Sequence, residues 1–350
     1  MVFRPTFISP RLRNKCQGGF SLVEIMVGVA VGLIGVLIMT QMGVAFDSQK
    51  RSTTGSGDAQ STGMIAFSEL QRELRQAGYG IDNTKILGCN LEIRSGVWLN
   101  NISAVTINHP SIPAGDANTD TVLVVYGAGN GSPDGDGITS QPAATQYAVQ
   151  TPSSYVANDR VVATLQTRPA TCNLSLDTVT GVATPNVSVT TGVASMTNGT
   201  LFNLGQTPRV KIFAVRSGSL TACDYMTADC TQPANAVSQS VWAQTWVPIG
   251  GNVVSLRAQY LDGLTNTYGT TTPSTACGWV RTPAVRLALV SRNARQASGT
   301  VTSAAPAWAG STASPIVLSG NSGWQGYRYK VFETTMPLKN TISMGVPPGC

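Results

Sequence analysis

One stretch limits what this chain can fold into more than any other. From Phe20 to Phe46 the only charged residue is Glu24, and residues 25–46 carry no charge at all. As an α-helix this uncharged part would extend about 33 Å at 1.5 Å per residue. The hydrocarbon core of a bilayer is about 30 Å thick, so the segment predicts a membrane-spanning helix over 20–46. Met1 to Gly19 holds Arg4, Arg11, Arg13 and Lys15 and no acid, which is four of the formal +6. The remainder has 19 basic and 17 acidic residues. A basic-surface argument for nucleic acid therefore loses most of its support, and no nucleic-acid partner is predicted. A basic head before an apolar span predicts a cytoplasmic N-terminus, with residues 47–350 on the other side of the membrane.

A cleaved secretory signal has an apolar region of roughly 7–15 residues ending at a small-x-small site; this run is longer and no such site follows it. A plain signal anchor fits the length. Neither explains Glu24, because a carboxylate inside a spanning helix costs on the order of several kcal/mol without a partner. Ser21-Leu22-Val23-Glu24 is also a capping-box pattern before an apolar run, which is common by itself. The wider stretch Gly18-Gly19-Phe20-Ser21-Leu22-Val23-Glu24 resembles the type III signal of type IV prepilins: a basic leader, a glycine, a phenylalanine, and a glutamate five positions after the glycine. The resemblance implies cleavage after Gly19 by a prepilin peptidase, N-methylation of the new terminal Phe20, and an assembly role for Glu24. In that role Glu24 would pair with the Phe20 ammonium of a neighbouring subunit. Such pairing offsets the desolvation of both charges.

Gly28, Gly32, Gly35 and Gly43 lower helix propensity in water but allow close helix contact in a membrane. Beyond Asp47 the chain turns polar, and Ser52 to Gly63 is its weakest helical stretch. Met64, Phe67, Leu70, Leu74 and Ala77 then recur at helical spacing, with Glu69, Arg72, Glu73 and Arg75 assigned to the opposite face. Residues 47–80 therefore read as an amphipathic continuation of the helix, with a kink or melted turn expected near Gly55 and Gly57. Gly78 and Gly80 are stop signals.

From residue 81 to 350 the pattern is β. Charged residues are only 11% of the chain against a usual quarter or so, while Gly, Pro, 40 Thr and 31 Ser are abundant. Strands are expected near 102–107, 121–126, 160–166, 209–216, 253–260, 285–291 and 328–334. The Gly/Asn/Asp-rich stretch 127–140 reads as a boundary or the start of a large insertion. The predicted class is α+β: a long N-terminal helix packed on a mostly antiparallel β-sheet domain with long loops.

Seven cysteines are present. Cys16 lies in the leader, so cleavage would leave Cys89, Cys172, Cys223, Cys230, Cys277 and Cys350. Six cysteines suit three disulfides in an oxidising compartment, with 15 pairings open. Cys223 and Cys230 are close enough to close a local loop, and Cys350 would tie down the C-terminus. A zinc site is disfavoured, because there is no Cys-x-x-Cys and a single histidine.

Other chemistry is sparse. Gly127-Ala128-Gly129-Asn130-Gly131 has glycines but no lysine for a phosphate. His109, before Pro110, reads as a surface histidine. Asp134-Gly135-Asp136-Gly137 resembles part of a calcium loop but lacks the distal glutamate, so a turn is expected. No catalytic residue, metal or cofactor is predicted.

The tail adds a second resemblance. Gly326-Tyr327-Arg328-Tyr329-Lys330-Val331-Phe332-Glu333-Thr334-Thr335-Met336-Pro337-Leu338-Lys339-Asn340 is similar to the C-terminal signature of PilW-type minor pilins, and residues 283–292 are similar to their penultimate strand. The helix Phe67 to Tyr79 also looks like this group. The resemblance implies a non-catalytic subunit that primes type IV pilus assembly and resides at the pilus tip. Its partners would be other minor pilins and the major pilin, a tip adhesin, the prepilin peptidase and the inner-membrane assembly platform. The alternatives are a minor pseudopilin of type II secretion, a signal-anchored periplasmic enzyme, and a binding module.

Overall fold

The computed structural model describes residues 19–231, 245–342 and 350. The predicted leader, with Cys16, lies outside the described residues except for Gly19. The chain divides into two compact units between Thr54 and Gly55.

The first unit is helical. Helix α1 runs Leu22–Gln76, and its part up to Thr54 forms this unit. Leu22–Asp47 is long and apolar enough to cross a membrane by length and composition, and none of it is buried. The Thr40 hydroxyl donates to the Leu37 carbonyl at 2.9 Å, so this polar side chain is satisfied within the helix itself.

The second unit begins at Gly55 with the remainder of α1. Helix α1 continues through Gly55 and Gly57 without the melted turn that their propensity suggests. Tertiary contacts override the local preference: Gly55 packs on Asn293, and the Ser291 hydroxyl donates to the Ala59 carbonyl at 2.8 Å. The strands that follow are β1 (Asn90–Arg94), β2 (Val97–Leu99), β3 (Val105–Ile107), β4 (Val122–Tyr126), β5 (Asp136–Ala143), β6 (Gln146–Val149), β7 (Arg160–Thr164), β8 (Asn173–Ala183) and β9 (Asn186–Val189). They continue as β10 (Thr200–Gly205), β11 (Arg209–Arg216), β12 (Ser219–Asp224), β13 (Val247–Gly251), β14 (Val253–Asp262), β15 (Thr267–Gly269), β16 (Ala284–Arg292) and β17 (Tyr329–Pro337). Two short helices, α2 (Ala276–Val280) and α3 (Lys339–Ile342), precede β16 and follow β17.

Two antiparallel sheets cradle α1. One has the order β13-β12-β11-β4-β3 and the other β15-β14-β16-β17. Every residue of β4 is buried, and its period-2 alternation divides them between two cores. Val122, Val124 and Tyr126 join Phe213 and Val215 of β11 under the helix. Leu123 and Val125 join Val210, Ile212 and Ala214 on the far side. In β16, Val285, Leu287 and Leu289 face the helix core, while Ala288 and Val290 face Trp308, Ile316 and Leu318. Asp120 ties the sheets together: one carboxylate oxygen accepts from Ala258 N at 3.0 Å, and the other from Asn108 at 2.9 Å and Arg257 at 3.3 Å.

Strands β4 and β11 are antiparallel neighbours, yet residues 127–208 lie between them. That insertion pairs β8-β7-β10-β5-β6-β9, and β9 pairs back onto β8, so six strands close into a ring. The ring has its own core of Ile138, Tyr147, Tyr155, Val161, Val179, Val187 and Leu201 among others. Strand β1 joins it through the one parallel pairing among these strands, with β8. The stretch 127–140 thus opens an insertion. Its glycines serve close approach: a Cβ on Gly129 would lie 2.6 Å from the Asn203 carbonyl oxygen.

The helix seam differs from the predicted one in two places. Ala59, Gly63, Ala66, Phe67, Leu70, Glu73, Leu74 and Ala77 are buried, whereas Met64 is exposed. Small residues face the sheets because they let the backbone approach. A Cβ on Gly63 would lie 2.3 Å from the Phe332 ring and 2.6 Å from the Ser291 hydroxyl; that ring already packs on Phe67. Gly57 has nothing within 4 Å of its own Cβ position. Gly63→Ala is therefore expected to destabilise the protein by about 1–3 kcal/mol through overpacking. Gly57→Ala is expected to stabilise it by up to about 1 kcal/mol through helix propensity. Thermal unfolding of the detergent-solubilised protein checks both signs.

Candidate functional site

The residues singled out for processing and assembly fall at the very start of α1. Gly19 and Phe20 precede the helix, and the Ser21 carbonyl accepts its first bonds, from Glu24 N at 2.9 Å and Ile25 N at 3.2 Å. A Cβ at Gly19 would meet nothing within 4 Å, and Phe20 is 79% exposed. Among the described residues nothing covers Gly19 or Phe20. Glu24 is the acidic residue of the first helical turn, where the helix dipole favours a negative charge. Between Glu24 and Asp47 every side chain is uncharged. The structure thus presents a helix with apolar residues all round and one carboxylate at its start, suited to burial against other helices or lipid.

At its other end α1 is fixed to the β unit by polar contacts. The Glu73 carboxylate accepts from Tyr126 Oη at 2.5 Å and from Lys211 Nζ at 2.6 Å, with Arg72 at 3.5 Å. Burial by itself would push this carboxyl up, but the bonds from Lys211 and Tyr126 and the Lys211 and Arg72 charges outweigh it and hold it below its ordinary value. Burial and the Glu73 bond push the Tyr126 hydroxyl up. Glu73 thus departs from the polar face to which its charge assigned it. The last turn is capped from the far end of the chain. Asn340 Nδ2 lies 3.4, 3.2 and 3.1 Å from the carbonyl oxygens of Arg75, Gln76 and Ala77, groups that a helix end leaves without an internal partner. In the sequence Asn340 stands only as the end of a motif, because a hydrogen-bonding role leaves no periodic trace.

His109 is buried, in contrast to the surface position expected. The Ser111 amide can only donate, so Nδ1 accepts from it at 3.2 Å; Nε2 then carries the proton and donates to the Asn100 carbonyl at 2.8 Å. Burial pushes this imidazole's pKa down, against the opposing effect of the Asn100 bond. It serves as a turn lock.

Asp136 likewise holds a turn, its carboxylate accepting from Gln150 N and from Thr151 N and Oγ1. Among the described residues no group of three or more His, Cys, Asp or Glu is placed to hold a metal. The cysteines pair as Cys89–Cys172, Cys223–Cys230 and Cys277–Cys350. The first joins the segment after α1 to the inserted ring, and the third joins α2 to the last residue.

With this geometry in view, the relations to known proteins are informative. Residues 14–40 match the prokaryotic N-terminal methylation motif. A long N-terminal helix that opens with this motif and leads into an antiparallel β-rich unit is an arrangement similar to that of type IV pilin-like proteins. Within that class, residues 244–340 match the type IV pilus-assembly protein W family. The matched region contains β14, β16 and β17 and ends at Asn340, so it builds the sheet that receives α1 and the side chain that caps it. No curated protein matches the chain in sequence. Among solved structures, a type IV-like pilin from Thermus thermophilus is similar at 12% identity and a TM-score of 0.35, over 80% of this chain and 97% of that one.

Two buried groups set a pH dependence. Both hold fewer protons folded than unfolded, so the stability each contributes is present at high pH and lost on acidification. His109 acts first, as pH falls from about 6.5 toward its lowered folded value, and Glu73 acts below about 4.5. In thermal unfolding against pH, His109→Gln is expected to flatten the upper slope and spare the lower. Glu73→Gln is expected to do the reverse.

Proposed function

We propose that this chain is a minor pilin. It is made with a basic leader, cut after Gly19, N-methylated at Phe20, and held by residues 20–46 in the inner membrane with its β unit in the periplasm. From there it joins other minor pilins, primes assembly on the inner-membrane platform, and rides at the pilus tip beside an adhesin. The observation that carries this reading is that the methylation motif coincides with an unburied, largely apolar helical segment whose only charge before Asp47 is Glu24. A lone carboxylate there is costly in lipid, and pairing with the Phe20 ammonium of a neighbour removes the cost. A ready-made cluster of such helices lowers the cost of starting a filament. The large β unit, enlarged by the ring of residues 127–208, suits an end position, where no copy has to stack above it. The C-terminal match supports a pilus over a secretion pseudopilus, and the role needs no catalytic group.

Mass spectrometry of the membrane-extracted protein should find an N-methylated phenylalanine at position 20; an intact leader would falsify the assignment. Glu24→Ala should still be cleaved but should fail to co-purify with the other minor pilins. Normal complex formation by that variant would remove the pairing mechanism.

A further inference from the structure

The end of the second unit where the chain enters from the apolar segment carries a surface that the pilin reading does not use. Gly55, the first residue of that unit, packs on Asn293. Asn293 fixes the neighbouring loop: its amide donates to the Arg328 carbonyl at 3.1 Å, and its side-chain oxygen accepts from Arg328 N at 2.8 Å. Arg292 pairs with Tyr329 across β16 and β17, and Ser291 with Lys330. Four basic residues, Arg292, Arg295, Arg328 and Lys330, therefore gather at one end of the sheet. Arg295, Arg328 and Lys330 are exposed and Arg292 is half-buried. Three aromatic residues lie among them. Arg292 stacks over Tyr327 at 4.2 Å, and the Tyr329 hydroxyl donates to the Trp324 carbonyl at 2.8 Å. All three residues are half-buried.

The charge is one-sided in sequence as well. Residues 263–332 contain no Asp or Glu. Among the described residues, the acids at this end include Asp116 and Asp58. Asp116 is occupied by the amides of Ser217 and Gly218, each at 2.9 Å, and Asp58 stands on α1 one turn beyond Gly55. The tether is short. The apolar stretch ends at Asp47, and eight residues further on is Gly55, a span of at most about 30 Å even when fully extended.

We propose that this surface docks the β unit on anionic lipid headgroups of the membrane that holds the N-terminal helix. The proposal rests on the anchorage read above. Lys and Arg near an anionic leaflet are attracted within a Debye length, and Trp and Tyr are the side chains that settle at the headgroup level. A polybasic, aromatic-bearing surface tethered this closely meets the headgroups at high local concentration. Docking would hold the unit in one orientation before its helix is withdrawn into an assembly, and withdrawal would break the contact.

The test uses the full chain in nanodiscs of phosphatidylcholine alone or mixed with phosphatidylglycerol, read by amide hydrogen exchange. Segments 292–300 and 321–331 should be protected in the anionic discs, less so in neutral ones, and released by high salt. Arg295→Glu, Arg328→Glu and Lys330→Glu combined should weaken docking on the order of a hundredfold, at about fivefold per residue. These side chains are exposed, and an unchanged melting temperature of the triple variant verifies its fold. Resistance of the chain to carbonate extraction reads anchorage separately, so a chain that does not insert refutes anchorage itself. An inserted chain with equal protection in both lipids, or unchanged protection in the triple variant, overturns the docking. Protection that appears only when other minor pilins are added would give the surface to a protein partner and also overturn it.

Discussion

The second unit depends on how closely α1 can lie against two sheets at once. Ala59, Gly63 and Ala66 set that distance. At Gly63 the Phe332 ring and the Ser291 hydroxyl fill the space a side chain would take, and at Gly250 of β13 a Cβ would lie 2.8 Å from Ala66. Close approach gives Leu70, Leu74 and Ala77 full burial, and it carries Glu73 into reach of Tyr126 and Lys211. A charged group in that position is tolerable only because both carboxylate oxygens are bonded, and removing a partner leaves the other charge stranded. The same helix thus meets two demands. Its first part is apolar on every side, and its second part is small or apolar on one side only.

The insertion of residues 127–208 shows how such a unit enlarges without losing its frame. Strands β4 and β11 stay paired across it, because the entropic cost of closing a loop grows only slowly with length. The inserted chain supplies its own strands and core and closes on itself, so it leaves few edges for unwanted pairing. The Cys89–Cys172 bond and the β1–β8 pairing then fasten the ring to the segment that follows α1.

Much of this was legible in the sequence, for physical reasons. Strands β4, β11, β14 and β16 are rich in β-branched and apolar residues, since most of each is buried, and they stand where the pattern places them. Strands β5, β8 and β9 are rich in Ser, Thr, Gly and Asn, because much of each faces solvent or a turn, and their few apolar residues make the strand signal weak. Met64 and Glu73 were assigned to the wrong sides for one reason. Residue type was used to choose the face, whereas the seam is chosen by size at Gly63 and by bonded partners at Glu73. His109 beside a proline reads as a surface turn, and only the fold brings Asn100 to its Nε2. At the N-terminus the segment Gly19 to Glu24 could be read directly, because its meaning lies in the order of residues along the chain. Asn340 could not, because its meaning lies in contacts with residues some 265 positions away.

The central proposal is that an apolar helix led by one carboxylate brings this chain into a filament, and that its large β unit holds it at the filament end. Immunogold labelling of sheared surface filaments with an antibody against the β unit tests it most directly. The account predicts sparse label confined to filament ends. Label distributed along the shafts, or filaments without label beside a fully retained membrane pool, would contradict it.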